Sequence, residues 1–180
     1  MKFAVVGCGA VGSYYGAMLC RAGHDVHFLL RSDYEVVQRD GVQIRSPAGN
    51  FRVRPQCANA PGEIGPSDVV LIALKTTANS QFAKLLPSLV SPHTAVVTLQ
   101  NGLGNEAQLA RLFPSDQILG GLCFVCLNRT APGVIEHLAH GLIVLGEFER
   151  GAQPRTCEIA AAFEAAGVPC KVTDNLERTH

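Results

Sequence analysis

The feature that most constrains this chain is Gly7-Cys-Gly-Ala-Val-Gly12, set directly after the apolar run Lys2 to Val6 and directly before a segment with helical spacing. That run is short, β-branched and closed by a glycine, which reads as a buried strand. From Val11 to Ala22 small and apolar residues recur at helical spacing, Gly23 supplies a stop, and Asp25 to Leu30 resumes as a second strand. The outcome is a βαβ unit. In that context each glycine has a task. Gly7 permits the tight turn, Gly9 lets a pyrophosphate approach the backbone through Cys8, Ala10 and Val11, and Gly12 lets the helix pack closely. The helix N-terminus then faces the negative charge.

The rest of the chain continues the alternation. Ser32 caps a helix running to about Asp40, and Val42 to Arg45 and Phe51 to Arg54 alternate around Ser46-Pro-Ala-Gly49 as a hairpin outside the core sheet. Asp68 to Leu74 and Ala95 to Leu99 read as buried strands, with a helix over Asn79 to Leu86 between them. Glu106 to Leu112 reads as helix and Gln117 to Val125 as strand. Val134 to His137 and Leu142 to Gly146 read as an antiparallel pair joined near Gly141, followed by a helix over Ile159 to Ala166 and a last strand at Cys170 to Thr173. This pattern predicts an α/β, Rossmann-type, doubly wound and mostly parallel sheet with a few antiparallel strands. It assigns residues 1–173 to one nucleotide-binding domain. Residues 174–180 are polar and carry no stop signal, so they read as the start of a linker or helix leading to a further domain.

Composition narrows the function classes. Fifteen Lys and Arg balance fifteen Asp and Glu, which removes the electrostatic footprint that nucleic-acid binding needs. No apolar stretch approaches the roughly 20 residues of a membrane span, and glycines cut the apolar opening too early for a signal peptide, so a cytoplasmic protein is expected. The seven cysteines are an odd count, and Cys8, Cys20 and Cys123 sit in apolar segments like small hydrophobes. Reduced thiols are expected. Cys123 and Cys126 have redox or zinc spacing, yet in a strand they point to opposite faces and no second pair follows. His137 and His140 lack a third ligand, and no G-x-S-x-G elbow supports hydrolysis.

Three further positions carry chemistry. The second strand ends at Leu30-Arg31-Ser32, where NAD enzymes tend to place an acid. Arg31 can instead pair bidentately with a 2′-phosphate while Ser32 adds a hydroxyl or an amide, which favours NADPH. Lys75 follows Val69 to Leu74 at the strand edge where such sheets bind ligands, and its charge suits an anionic substrate or the nicotinamide ribose. Asn101 holds the matching place after the next strand and offers both donor and acceptor.

Taken together, GCGAVG at 7–12, LLR at 29–31, LKTT at 74–77 and QNGLG at 100–104 resemble the ketopantoate reductase family over nearly the whole chain. That resemblance implies NADPH-dependent hydride transfer to a small 2-keto acid, of the 2-dehydropantoate to pantoate type. Arg31 would contact the 2′-phosphate, Lys75 and Asn101 would lie by the nicotinamide and substrate, and the segment 120–126, including Cys126, would pass close to the cofactor. The family resemblance also implies a second, helical domain, whose lysine protonates the carbonyl oxygen and is expected a few residues beyond His180. On this expectation the chain is the cofactor-binding half, inactive alone, and exposed apolar surface promotes self-association. The alternative is an autonomous NAD(P)-binding sensor without catalysis. A related dehydrogenase acting on a 3-hydroxy acid, sugar acid or glycerol phosphate is a third reading.

Overall fold

Side chains alternate between two layers along every central strand, and this alternation builds the molecule. The computed structural model describes residues 1–179; His180, the last residue of the expected 174–180 segment, lies outside the described residues. Strand β1 (Lys2–Val6) sends Phe3 and Val5 into one apolar layer and Ala4 and Val6 into the other. Helix α1 (Ala10–Arg21) covers the first layer, and the chain returns as β2 (Asp25–Leu29), hydrogen-bonded in parallel to β1.

Beyond β2 come α2 (Tyr34–Asp40), β3 (Val42–Arg45), β4 (Phe51–Val53), β5 (Gln56–Ala58) and α3 (Pro61–Ile64). Strand β6 (Val69–Ile72) leads through a 3-10 segment, Thr76–Gln81, into α4 (Phe82–Leu85), and β7 (Ala95–Thr98) leads into α5 (Asn105–Leu109). Two long strands follow, β8 (Ile118–Ala131) and β9 (Val134–Glu147), then α6 (Pro154–Ala165) and β10 (Cys170–Thr173). Strands β5, β2, β1, β6, β7 and β8 lie side by side in that order, all parallel, and β9 closes antiparallel onto β8. Chain order reverses between β1 and β6, so the crevice at the carboxyl ends of those two strands is the expected ligand position of a doubly wound sheet. Residues of α1 and α6 bury on one face, Tyr15 and Phe163 among them, and residues of α3, α4 and α5 on the other, Ile64, Phe82 and Leu109 among them. The mixed, mostly parallel sheet matches the expected fold class.

Four expectations need correction. The segments Val134–His137 and Leu142–Gly146 are parts of one strand, β9, and they pair with β8 rather than with each other. The reversal is at Pro132-Gly133, where Gly133 has φ +67°. Gly141 (φ +145°) instead marks a register shift, because Phe124 faces Leu142 while Val125 faces His140. The β3–β4 ribbon is not outside the sheet, since β3 hydrogen-bonds in parallel to the first part of β9, with Val42 and Ile44 fully buried. Ser32 does not cap α2. Asp33 holds that position, and the Ser32 hydroxyl turns to Asp33 Oδ1 at 3.1 Å. The helix expected over 79–86 is a 3-10 turn followed by four α-helical residues, with Pro87 next in the chain. Strand β5 and helix α3, bounded by Pro55 and Pro61, carried too few residues for periodicity to reveal.

Where β9 hands over to α6, a buried carboxylate ties the connection. Glu147, 1% exposed, accepts from Arg155 at 2.6 Å, from Arg150 at 3.1 Å and from the Thr156 hydroxyl. Burial raises its carboxyl, and the bonds from Arg155, Thr156 and Arg150 outweigh that and hold it below the usual range. Its contribution is therefore complete above the ordinary glutamate value of about 4.3 and fades as pH falls further. Glu147→Gln is expected to lower unfolding free energy by about 3 kcal/mol at pH 7, with the gap to wild type narrowing below pH 4. Denaturant melts across pH 3 to 7 check both; a gap constant with pH would remove the carboxylate's role.

Candidate cofactor-binding site

The crevice is shaped by what glycine lacks. Gly7 has φ +97°, and a Cβ there would meet the backbone amide of Leu74 and lie 2.6 Å from the Ala73 carbonyl carbon. The end of β1 and the segment after β6 thus touch through bare backbone. A Cβ on Gly12 would strike the Gly7 carbonyl oxygen and lie 3.2 Å from the Ala73 methyl, so α1 starts as close to the sheet as atoms allow. Gly16, unremarked in the sequence reading, extends the contact: a Cβ there would lie 2.5 Å from the Phe28 ring. Gly9 is different, because nothing lies within 4 Å of the position its Cβ would take.

Gly9 also occupies the N-cap of α1, with no side-chain cap and no acidic residue in the first turn. Open space therefore stands before a helix N-terminus twelve residues long, the arrangement an anion completes. Ala10 and Val11 begin that helix, and Cys8 packs inward, its thiol 3.5 Å from the carbonyl oxygens of Val5 and Leu29. Burial, then Cys57 and Asp33, push the Cys8 thiol well above its usual range. It remains an uncharged neighbour of any phosphate.

Arg31 and Ser32 emerge exposed just past the end of β2. Immediately beyond, Asp33 is 7% exposed and held by Arg129 of β8 through Nη2 at 2.6 Å to each carboxylate oxygen and Nε at 3.1 Å. Sequence reasoning missed this pair, for partners 96 residues apart leave no local signal.

Lys75 and Asn101 are both exposed, after β6 and β7 respectively. Their loops are joined through Gln100, whose side-chain amide donates to the Leu74 carbonyl at 2.9 Å and to Asn79 Oδ1 at 2.8 Å. Asn79 donates onward to Asn105 and Gln108, each at 3.0 Å, and Asn105 donates to the Gly102 carbonyl at 2.9 Å. Asn105 is 1% exposed. This amide network fixes the backbone carrying Lys75 and Asn101 while leaving both side chains free to reach outward. Sequence reasoning missed it, because the partners are 21 and 26 residues apart in different loops.

Beside Asn101 lies a cleft of about 190 Å³, lined by Gln100, Asn101, Gly102, Leu122, Cys123 and Phe124. Of the segment 120–126, Leu122, Cys123 and Phe124 line this cleft. Cys126 is exposed and does not line the cleft; it follows Phe124 on the outer face of β8, while Cys123 faces the core. Burial pushes the Cys123 thiol up to about 12. All seven cysteines are free, and among the described residues no three His, Cys, Asp or Glu side chains cluster as metal ligands. No helix among them is long and apolar enough to cross a membrane.

A glycine-lined crevice at the switch point, with a helix N-terminus open to it, defines the class: a Rossmann-like α/β domain. The family model described as "Ketopantoate reductase PanE/ApbA" matches residues 3–150, and the chain belongs to that family. A 2-dehydropantoate 2-reductase of Nostoc sp. is 44% identical over 97% of this chain and 57% of its own length. The crystal structure of 2-dehydropantoate 2-reductase from Geobacter metallireducens superposes with a TM-score of 0.96 at 50% identity, covering 99% of this chain and 60% of that one. That from Methylococcus capsulatus gives 0.93 at 37% identity, covering 99% and 59%. The chain therefore spans rather less than two thirds of the relatives it matches.

Gly7→Ala should cost about 3 kcal/mol or more, from the positive φ and the collision with residues 73 and 74. Gly9→Ala should change stability by no more than about 0.5 kcal/mol yet weaken dinucleotide binding at least about tenfold, since its methyl enters the anion's space. Chemical denaturation paired with a binding titration separates the two; a Gly9→Ala chain that binds as wild type would relocate the site.

Proposed function

We propose that this chain is the cofactor-binding half of an NADPH-dependent reductase of 2-keto acids, of the 2-dehydropantoate to pantoate type. The observation that carries the reading is Gly9: space for a pyrophosphate before the uncapped start of α1, at the switch point of a sheet whose family is that of ketopantoate reductases. When bound, the nicotinamide supplies the hydride. The chain's own residues bind and orient. The α1 amides hold the pyrophosphate, Arg31 pairs with a 2′-phosphate assisted by Ser32, and Gly7 and Gly12 allow the close approach. Lys75 and Asn101 stand by the nicotinamide ribose and the substrate, where the lysine offsets negative charge on a keto acid. Leu122, Cys123 and Phe124 shield one side of that cleft from water. The proton for the carbonyl oxygen is assigned to a lysine outside these 180 residues, which makes the chain inactive in isolation.

The size of the cleft agrees with this division. At about 190 Å³ it is smaller than a complete small-molecule site, which typically runs from roughly 300 Å³ upward. Leu103 and Phe124, 80% and 51% exposed, leave apolar surface beside it.

Calorimetric titration with NADPH and separately with NADH, repeated on Arg31→Ala, tests the reading. The wild-type chain should prefer NADPH, and the variant should lose that preference by roughly tenfold or more while binding NADH about as before. Equal affinity for both dinucleotides in wild type would overturn the assignment of Arg31.

A further inference from the structure

We infer that Arg129 determines which dinucleotide the site accepts by sequestering Asp33, an inference that rests on the cofactor reading above. Asp33 lies two residues past Arg31 and next to Ser32, so a carboxylate stands beside the proposed position of the 2′-phosphate. Left alone it would act in two ways. It would repel a phosphate dianion, and it would offer an acceptor to the ribose hydroxyls of the unphosphorylated dinucleotide, the role acids play at this edge of many such sheets.

It is not left alone. Arg129 grips both oxygens through Nη2 at 2.6 Å and adds Nε at 3.1 Å, and Ser32 Oγ lies 3.1 Å from Oδ1. With its side chain only 10% exposed, Asp33 has its charge neutralised and most of its accepting capacity taken. The Arg129 side chain is 39% exposed, so part of it remains open to solvent. Arg31 can then present a net positive field to the phosphate instead of being cancelled by its neighbour.

The fold goes to some length to make this contact. Strands β7, β6 and β1 separate β8 from β2 in the sheet, so a straight β8 would not reach Asp33. Register shifts between Phe124 and Val125, Cys126 and Leu127, and Arg129 and Ala131 coil the β8–β9 hairpin. Its tip arrives beside α2 and β3, where the Gln43 amide donates to the Gly133 carbonyl at 2.8 Å.

The test measures dissociation constants for NADPH and NADH by fluorescence titration of wild type, Arg129→Gln, Arg129→Lys, Asp33→Asn and the double variant Asp33→Asn/Arg129→Gln. Arg129→Gln should cut the NADPH-over-NADH preference roughly tenfold or more, because it frees the carboxylate. The double variant should restore it, and Asp33→Asn alone should keep or raise it. Arg129→Lys, which retains the charge, should fall between wild type and Arg129→Gln. An unchanged ratio in Arg129→Gln overturns the inference, and so does a double variant that stays low, which would make Arg129 a direct phosphate ligand. Should Arg129→Gln fail to fold, Asp33→Asn decides: a drop in preference there is fatal to the inference. A wild type that prefers NADH defeats the cofactor reading first, and is seen before any variant is compared.

Discussion

Everything in this molecule is hung on the contact of α1 with the sheet beneath it, made at three positions without side chains. Gly12 and Gly16 let the helix touch the Gly7 carbonyl and the Phe28 ring directly, and Gly7 lets the end of β1 touch the segment after β6. A methyl at Gly12 or Gly16 would push the helix outward. Its first amides would then leave the open space at Gly9, and its far face would lose its partners. Those partners are numerous: the Tyr15 hydroxyl donates to the Gly141 carbonyl at 3.2 Å, and the Tyr14 ring stacks 4.6 Å from His137 of β9. The helix therefore positions both the crevice and the coiled hairpin that packs against the helix.

This explains which parts of the fold were legible in the sequence. The fingerprint needs glycines at fixed spacing between a strand and a helix, and local constraints of that kind survive in a single chain; β1, α1 and β2 fell within a residue or two of their expected bounds. The same holds for β6 and β7, whose apolar runs are buried on both faces. The β8–β9 hairpin was legible only in pieces. Its bulges break the alternation, so Leu138, an extra residue between Ala139 and His137, stands 52% exposed inside an otherwise half-buried strand. Gly141 took the part of a turn that belongs to Pro132-Gly133, a stronger signal whose glycine lies eight residues upstream.

The candidate site divides along the same line. Residues whose role depends on following a strand, Arg31, Lys75 and Asn101, could be picked out because strand ends are visible in sequence. Residues that hold them in place could not. Gln100, Asn79 and Asn105 form their network between two loops, and Asp33 finds Arg129 across the sheet. Pairwise partnership at long range is set by the fold and not by spacing. The end of β2 carries no acid at Leu30 or Arg31. The acid is Asp33, two residues past Arg31, with its charge already taken.

An ion pair with one buried partner is a poor explanation of itself. Removing the Asp33 carboxylate from water costs much of what its attraction to Arg129 returns, and an apolar pair of similar volume would fasten the hairpin tip as well or better. The tip has such fastening already, with Val37 and Val42 buried beside it and a main-chain bond from Gln43 to Gly133. Stability gives no reason for a carboxylate at 33. Helix capping gives none either, since the Asp33 side chain makes no cap bond to α2. What distinguishes the pair is its place, beside an arginine left exposed at the strand edge where such sheets take the adenosine ribose. There, the state of one carboxylate decides whether the local field is positive or neutral, and that is a property a ligand reads while the fold does not.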